Sequence, residues 1–423
     1  MHATVPPEFE IVIVGGGLAG SVLATLLGRA GRQVAVIDMH DVYPPDFRAE
    51  QLVGEQCGQL AQLGLLQDAV GPLPPIPRSV AAAGGKLIGQ VEAPHYGFAY
   101  ETLVARLRAA IPRTVRWLTG RVVDIATGID TQAITLAGGQ TLTARLVILA
   151  SGLQRSLQRE LGFERQMRRA GHSLTFGFGL RPTGPDAFPA PVLVHLGGKR
   201  DGVDYLAMFP IEGATRVNLF TYWDPRSPAV RAFRQDPAPM LHRLFPRLPA
   251  LLGAFRIEGP VQARVNDIEA VANPVRDGIV LVGDAFQTSC PATGTGISRL
   301  LTDVERLCSA HLPAWLASPG MAAEKIAGFY ADPVKQAADR EALHAAEYRR
   351  ALATSDGLGW AVHRGLLSLR RRIGGWVGGP ERLTTGIQPL VNAPPSPAPA
   401  AAPDYVPEAG TCLPIGRTSW SSR

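Results

Sequence analysis

The stretch at residues 10–38, EIVIVGGGLAGSVLATLLGRAGRQVAVID, limits the possible folds more than any other part of the chain. Ile11 to Val14 are consecutive β-branched apolar residues, the pattern of a strand buried on both faces. Gly15, Gly17 and Gly20 follow in the spacing G-x-G-x-x-G. Leu18, Val22, Leu26 and Ala30 then recur four apart, which predicts a helix ended by Gly31. Residues 33–37 read as a second short apolar strand, closed by Asp38, 23 residues after Gly15. Each glycine has a physical task. Gly15 permits the tight strand-to-helix turn, Gly17 lets a pyrophosphate approach the backbone, and Gly20 lets helix and strand pack closely. The helix N-terminus would direct unpaired N–H groups and a partial positive charge at the phosphates. Asp38 is placed to accept hydrogen bonds from an adenosine ribose. The pattern predicts a dinucleotide site and leaves NAD and FAD both open.

The remaining composition narrows the class. At 423 residues the chain can build two domains around a large core. No uncharged apolar run approaches the length of a membrane span, and MHATVPPEFE lacks the basic and apolar regions of a secretory signal. Cys57, Cys290, Cys308 and Cys412 are scattered without a C-x-x-C, which favours reduced thiols in a cytoplasm over disulfides or a metal site. The net charge of +6 comes without a basic patch interleaved with aromatics, so nucleic acid is not the expected partner.

Along the chain, YPPDFRAEQ at 43–51 reads as a loop before a helix over 50–66. Residues 79–99 suggest a strand or hairpin, 100–111 an amphipathic helix, and 115–118, 121–126 and 133–136 strands. A turn at 137–140 precedes two further strands, 141–144 and 146–150. Between 172 and 223 the alternation of apolar and polar positions predicts an antiparallel sheet. Helices follow at 228–235 and 239–244, then a buried strand from Gly278, then long helices over 296–315 and 322–354. Leu358, Val362, Leu366, Leu369, Ile373 and Trp376 form an apolar stripe among Arg364, Arg370, Arg371 and Arg372. Such a basic amphipathic helix over 357–378 suits a membrane surface, an acidic protein partner, or packing on its own domain. Residues 393–403 are almost only Ala and Pro, a flexible linker composition.

The segment 283–296, GDAFQTSCPATGTG, again follows a buried strand and opens a helix. Its G-D-A, Pro and G-x-G spacing resembles the GD motif of class A FAD-dependent monooxygenases of the para-hydroxybenzoate hydroxylase type. The resemblance implies that Asp284 holds the ribityl chain of FAD and that Pro291, Gly294 and Gly296 lie along the isoalloxazine ring. Helix N–H groups there would stabilise negative charge on the reduced ring. Arg48 sits where family members carry an FAD-contacting arginine, and Asp303 where an acid is common. LVILASG at 146–152 resembles the family's apolar strand ending in A-T-G. There are departures. The D-G motif is replaced by SGLQRSLQR at 151–159, without its aspartate, which makes direct reduction by NAD(P)H less secure. Gln287, Ser298 and Tyr100 stand where His, Asn and Arg are common. A halogenase W-x-W-x-I-P is absent, and YLAMFP at 205–210 is only loosely similar to the Y-x-W-x-F-P of geranylgeranyl reductases.

The fold class so implied is α/β: a Rossmann-like FAD-binding domain of the two-dinucleotide-binding type, an inserted antiparallel β-sheet substrate domain, and C-terminal helices. The expected divisions are 8–76, 100–170 and 265–354 for FAD, 77–99 and 171–264 for substrate, 355–392 for a C-terminal helical segment, and 393–423 for a flexible tail. The resemblance implies a monooxygenase that takes electrons from NAD(P)H, passes them to O2, and hydroxylates or epoxidises an apolar or aromatic small molecule through a flavin C4a-hydroperoxide. The alternative is an FAD-dependent reductase or dehydrogenase, prenyl-chain reductase-like or halogenase-like, on the same fold. A flavin-binding carrier is a third reading. The cofactor carries this chemistry, so no catalytic side chain is singled out and no metal is expected. His195, Tyr205, Met208 and Tyr222 are candidate substrate contacts by analogy, although aromatic and Met residues in a sheet are ordinarily core. Cys290, next to Pro291, reads as a buried thiol.

Overall fold

A computed structural model describes residues 7–198 and 201–377. The Pro/Ala-rich tail and Cys412 lie outside the described residues.

The motif strand Phe9–Val14 forms the centre of a seven-stranded sheet. It pairs in parallel with Val34–Asp38 on one side and Thr141–Leu149 on the other, and all of its residues but Phe9 and Glu10 are almost fully buried. Arg116–Thr119 extends the sheet in parallel beyond Val34–Asp38. The strand Thr141–Leu149 shares its outer edge: its first half meets the antiparallel strand Gln132–Leu136, and its second half the parallel strand Ile279–Leu281. Five parallel strands therefore end together at Val14, Asp38, Thr119, Leu149 and Leu281. The crevice beyond such carboxyl ends is where open α/β sheets bind ligands.

The two strands expected at 141–144 and 146–150 are one continuous strand. Arg145 does not break it, because its guanidinium donates to the Leu316 and Ser318 carbonyls at 2.9 and 2.8 Å, at the end of helix Leu312–Ala317.

The second sheet has eight strands, in the order Phe255–Val271, Arg165–Pro182, Ala214–Thr221, Val203–Ile211, Leu193–Leu196, Ile76–Ala83, Lys86–Gly97 and Gln51–Leu52. The strand Phe255–Val271 was not legible in the sequence. Gly259 and Pro260 interrupt its alternation, and the structure absorbs them in a bulge where Gly177 pairs with Gln262 but Gly179 with Glu258. Strands Arg165–Pro182 and Phe255–Val271 run unbroken through 170–171 and 264–265, and carry the sheet to the Asp284 segment, where Val271 N–H donates to the Phe286 carbonyl at 2.9 Å. One face of this sheet is apolar. Leu174, Phe176, Phe178, Leu206 and Leu219 pack there under helices Pro228–Gln235, Pro237–Leu244 and Leu248–Leu252. The other face carries Thr175, Tyr205, Arg216, Asn218 and Phe220, the alternate residues of the same strands.

Three expected helices are divided. Residues 50–66 hold the short strand Gln51–Leu52 and the helix Gly54–Gln62, because the segment after Glu50 pairs with Tyr96–Gly97. The helix Thr295–Arg306 passes through a π-helical turn, Leu307–His311, into Leu312–Ala317, where Pro313 lacks the N–H a regular helix would use. The last long helix is Ala323–Tyr330 followed by Pro333–Thr354. Asp332 caps the second of these by accepting from Val334 and Lys335 N–H, with Pro333 at the first helical position.

Candidate cofactor and substrate site

At the first turn Gly15 has φ +105°, and a Cβ there would lie 2.6 Å from the Ala150 carbonyl oxygen. A Cβ on Gly20 would lie 1.8 Å from the Gly15 oxygen, so only glycine lets helix Leu18–Arg29 sit this close to its strand. Gly17 is different: a Cβ there would meet nothing nearer than Tyr43 at 3.8 Å, which leaves its backbone open to a ligand. Asp38 Oδ2 accepts from Gly16 N–H at 2.6 Å, and Oδ1 accepts from His40 N–H at 2.8 Å. Arg108, which the sequence did not single out, braces this turn. Its Nε donates to the Gly16 carbonyl at 2.8 Å, Nη1 donates to His40 and Asp41 carbonyls, and Nη2 lies 3.3 Å from Asp38 Oδ1. The guanidinium packs against the rings of Trp117 and Tyr43, 4.6 and 5.5 Å from their centroids. Burial pushes the Tyr43 phenol up to about 12.

A cavity of about 290 Å³ runs from this turn, lined among others by Gly15, Gly17, Asp38, Arg48, Ser151 and Asp284. Arg48 and Asp284 are 236 positions apart in sequence, yet Nη1 stands 3.3 Å from Oδ2. Asp46 accepts from Arg48 Nε at 2.5 Å and from Arg264 Nη1 at 2.9 Å. Burial alone would raise the Asp46 carboxyl, but the two arginines hold it below its ordinary value. Ser151, which stands in place of the missing acid, has a buried hydroxyl with no hydrogen-bond partner in the protein. Gly20, Pro291, Gly294 and Gly296 do not line this cavity.

Behind Asp284 lies a buried charge cluster. Gly283, at φ +60°, donates its N–H to Asp303 Oδ2 at 2.9 Å. Lys335 Nζ, on the final long helix, donates to Asp303 Oδ1 and Asp339 Oδ2, both at 2.9 Å. Arg299 contacts Asp339 at 3.2 Å, donates to Ser289 Oγ at 3.2 Å, and donates to the Gln287 carbonyl. Arg299 and Lys335 are 2 % and 1 % exposed, so these charges must satisfy one another. Charged residues within apolar helical patterns resemble solvent-facing ones in sequence, and only the topology brings them inside. Farther along, Pro291–Thr293 forms a single 3-10 turn, Gly294 adopts φ +69°, and Gln56 Nε2 donates to the Gly294 carbonyl at 2.8 Å before helix Thr295–Arg306 begins.

The four candidate substrate residues are not brought together. Tyr205 donates its hydroxyl to the Ala292 carbonyl at 3.1 Å and packs on Phe220, 4.5 Å between centroids, which places it beside the Pro291 turn. Tyr222 donates to Asp204 Oδ2 at 2.8 Å, a carboxylate also gripped by Arg349 at 2.6 and 2.8 Å. His195 and Met208 lie on the other face of the sheet from Tyr205. Met208 is fully buried among the apolar residues under the 228–252 helices, and His195 meets Phe245 there at 4.9 Å, on the face opposite Tyr205. Strand alternation puts them on the far side of the sheet. Conversely, Glu50, Arg216 and Asn218 were missed. Arg216 bonds both Glu50 oxygens at 3.0 Å, and Asn218 Nδ2 donates to Glu50 Oε2 at 3.0 Å, leaving Asn218 Oδ1 buried without a partner. Burial raises the Glu50 carboxyl above its ordinary value despite these donors. Burial also raises the Cys290 thiol, which lies 3.5 Å from Ser173 Oγ.

Residues 8–74 match the family model described as FAD binding domain. The solved structure of p-nitrophenol 4-monooxygenase PnpA from Pseudomonas putida superposes with a TM-score of 0.69, at 17% identity, over 92% of this chain and 97% of that one. This is the class A FAD-dependent monooxygenase fold. Among curated proteins, digeranylgeranylglycerophospholipid reductase 1 of Methanopyrus kandleri is 25% identical over 70% of this chain and 78% of its own length. Ubiquinone hydroxylase UbiL of Rhodospirillum rubrum is 28% identical over 71% of this chain and 73% of its own length. Both oxygenase and reductase relatives thus share the flavoprotein scaffold, and the sequence-level resemblance to the class A flavoproteins stands.

Proposed function

We propose that the chain is an FAD-dependent monooxygenase that inserts one oxygen atom of O2 into an apolar or aromatic small molecule, with NAD(P)H as the electron source. The observation that carries this reading is the convergence of Arg48 and Asp284 with Gly15, Gly17 and Asp38 on one cavity at the carboxyl ends of the parallel strands. The donor set fits a dinucleotide. Gly17 offers open backbone, Asp38 and Asp284 are sugar-hydroxyl acceptors at opposite ends, and the buried Ser151 hydroxyl has no protein partner. FAD would supply the electron transfer and oxygen activation, while the protein binds, orients and excludes water.

In this reading Gly15 and Gly20 shape the turn, Gly17 receives the pyrophosphate, Asp38 holds the adenosine ribose, and Asp284 with Arg48 holds the ribityl end. Pro291, Gly294 and Gly296 border the ring, with Tyr205 and Phe220 of the sheet and Ala292 of the Pro291 turn forming an apolar wall beside it. Tyr205 is the substrate-side residue we retain. Residues 8–76, 100–170 and 265–354 would serve the cofactor and 77–99 with 171–264 the substrate.

A second reading, a reductase on the same scaffold, rests on one observation besides the kinship to a prenyl-lipid reductase. Arg155, in the altered D-G run, is engaged by Glu269 and Asp267 at 2.9 and 3.2 Å and so is not free to pair with a nucleotide phosphate. Turnover under isotopically labelled O2 separates the two. Label in the organic product supports oxygenation, and a product reduced without label supports the second reading.

A further inference from the structure

An amphipathic helix that packs on its own domain buries its apolar stripe. The helix Leu358–Val377 does the reverse. Leu358, Val362 and Leu366, spaced four apart on one face, are 86%, 61% and 53% exposed. The side-chain contacts of its first turns come from the other side, and its backbone also runs beside strand Lys86–Gly97. His363 Nε2 and the Tyr348 hydroxyl share a hydrogen bond of 2.7 Å, Trp360 packs 6.1 Å from the Tyr348 ring, and Arg364 donates to the Leu352 and Ser355 carbonyls at 3.3 and 3.0 Å. The polar and aromatic side is docked, and the aliphatic side faces outward.

We propose that this helix seats the protein on an anionic lipid surface. Three features of the chain select that occupant. In the sequence, positions 369, 373 and 376 continue the three- and four-residue spacing with Leu, Ile and Trp, the aliphatic-plus-Trp composition of an interfacial helix. Positions 370 and 372, both Arg, fall on either side of that stripe at 100° per residue, and Arg371 lies between them in sequence; the run carries no acidic residue from 357 to 377. No helix among the described residues is long and apolar enough to cross a membrane, so the geometry is that of lying on the surface. The stripe would enter the acyl boundary while the arginines pair with lipid phosphates.

The test uses the full chain and sedimentation with vesicles of phosphatidylcholine alone or with one quarter phosphatidylglycerol. The wild type should partition onto the anionic vesicles and far less onto the neutral ones. Leu358→Ser, Val362→Ser and Leu366→Ser combined should lower partitioning by about tenfold or more, since exposed aliphatic side chains lose their burial. Arg370→Gln, Arg371→Gln and Arg372→Gln combined should lower it by about a hundredfold, at roughly fivefold per arginine. The Ser variant should keep wild-type circular dichroism and flavin content, because the three positions touch neither the core nor the proposed cofactor site. Equal partitioning of wild type and variants, absence of wild-type binding, or a wild-type dimer in size exclusion that the Ser variant abolishes would each overturn the proposal, the last by making a second copy the occupant.

Discussion

Replacing Lys335 by Met tests whether the buried charge cluster holds the Asp284 segment. The ammonium is 1% exposed and 2.9 Å from both Asp303 and Asp339. Met fills nearly the same volume and suits the surrounding rings of Phe286, Phe329 and Tyr330, which lie 4.2–5.7 Å from Nζ, so little of the loss will come from a cavity. What remains is the buried Asp303 and the half-buried Asp339 sharing Arg299, at 3.6 and 3.2 Å. Breaking a buried pair from one side costs about 3–5 kcal/mol. Because Asp303 also holds Gly283 N–H, the loss should reach the cofactor loop, and flavin should be released at lower denaturant than in the wild type. The double variant Lys335→Met with Asp339→Leu removes one charge of each sign and leaves Arg299 with Asp303. It should therefore recover stability relative to the additive expectation by about 0.5–3 kcal/mol. The assay is urea titration followed by flavin fluorescence and by circular dichroism. A Lys335→Met protein within about 0.5 kcal/mol of wild type, or a strictly additive double variant, would refute the reasoning.

Other expectations follow from single positions. Gly20→Ala places a Cβ 1.8 Å from the Gly15 oxygen and should yield little folded protein, whereas Gly17→Ala, with 3.8 Å of clearance, should fold like wild type but bind FAD more weakly; expression yield and flavin titration check both. Asp284→Ala should weaken FAD binding by about 1.5–3 kcal/mol, roughly ten- to a hundredfold, the worth of a hydrogen bond to a charged group; a variant purified with stoichiometric flavin would count against the assignment. Burial, with Arg350 and Arg169 nearby, lowers His172 from 6.5 to about 4, so the folded protein keeps it neutral while the unfolded chain protonates it. Its contribution is present above pH 6.5 and is lost as pH falls toward 4. Denaturation midpoints of His172→Phe should accordingly decline less than wild type across that window.

The nucleotide turn was legible because its demands are local: a tight turn, a close helix and a terminal acid each need one residue type at one spacing. The strand Phe255–Val271 was not, since Gly259 and Pro260 hide its alternation and only its long partner reveals the bulge that absorbs them. The breaks at Leu307–His311 and at Asp332 were signalled by Pro313 and Pro333, residues that a long periodic helix pattern easily outweighs. Site residues divide the same way. Arg48 and Asp284 stood out through their motifs, whereas Arg108, Lys335 and the Glu50–Arg216–Asn218 group act across the fold and leave no spacing signal. That Tyr205 lies on one face of the sheet and His195 with Met208 on the other was not legible, because periodicity tells which residues share a face but not what each face meets.

In the proposed reading this cavity holds an FAD whose electrons come from NAD(P)H and go to O2. Anaerobic titration of the purified protein with NADPH and with NADH, followed by flavin absorbance, tests it most directly. Bound FAD should bleach with at least one nucleotide, faster in the presence of an apolar aromatic ligand, and should recover its colour on admission of O2. A protein isolated without FAD, or one whose FAD neither nucleotide reduces, would contradict it.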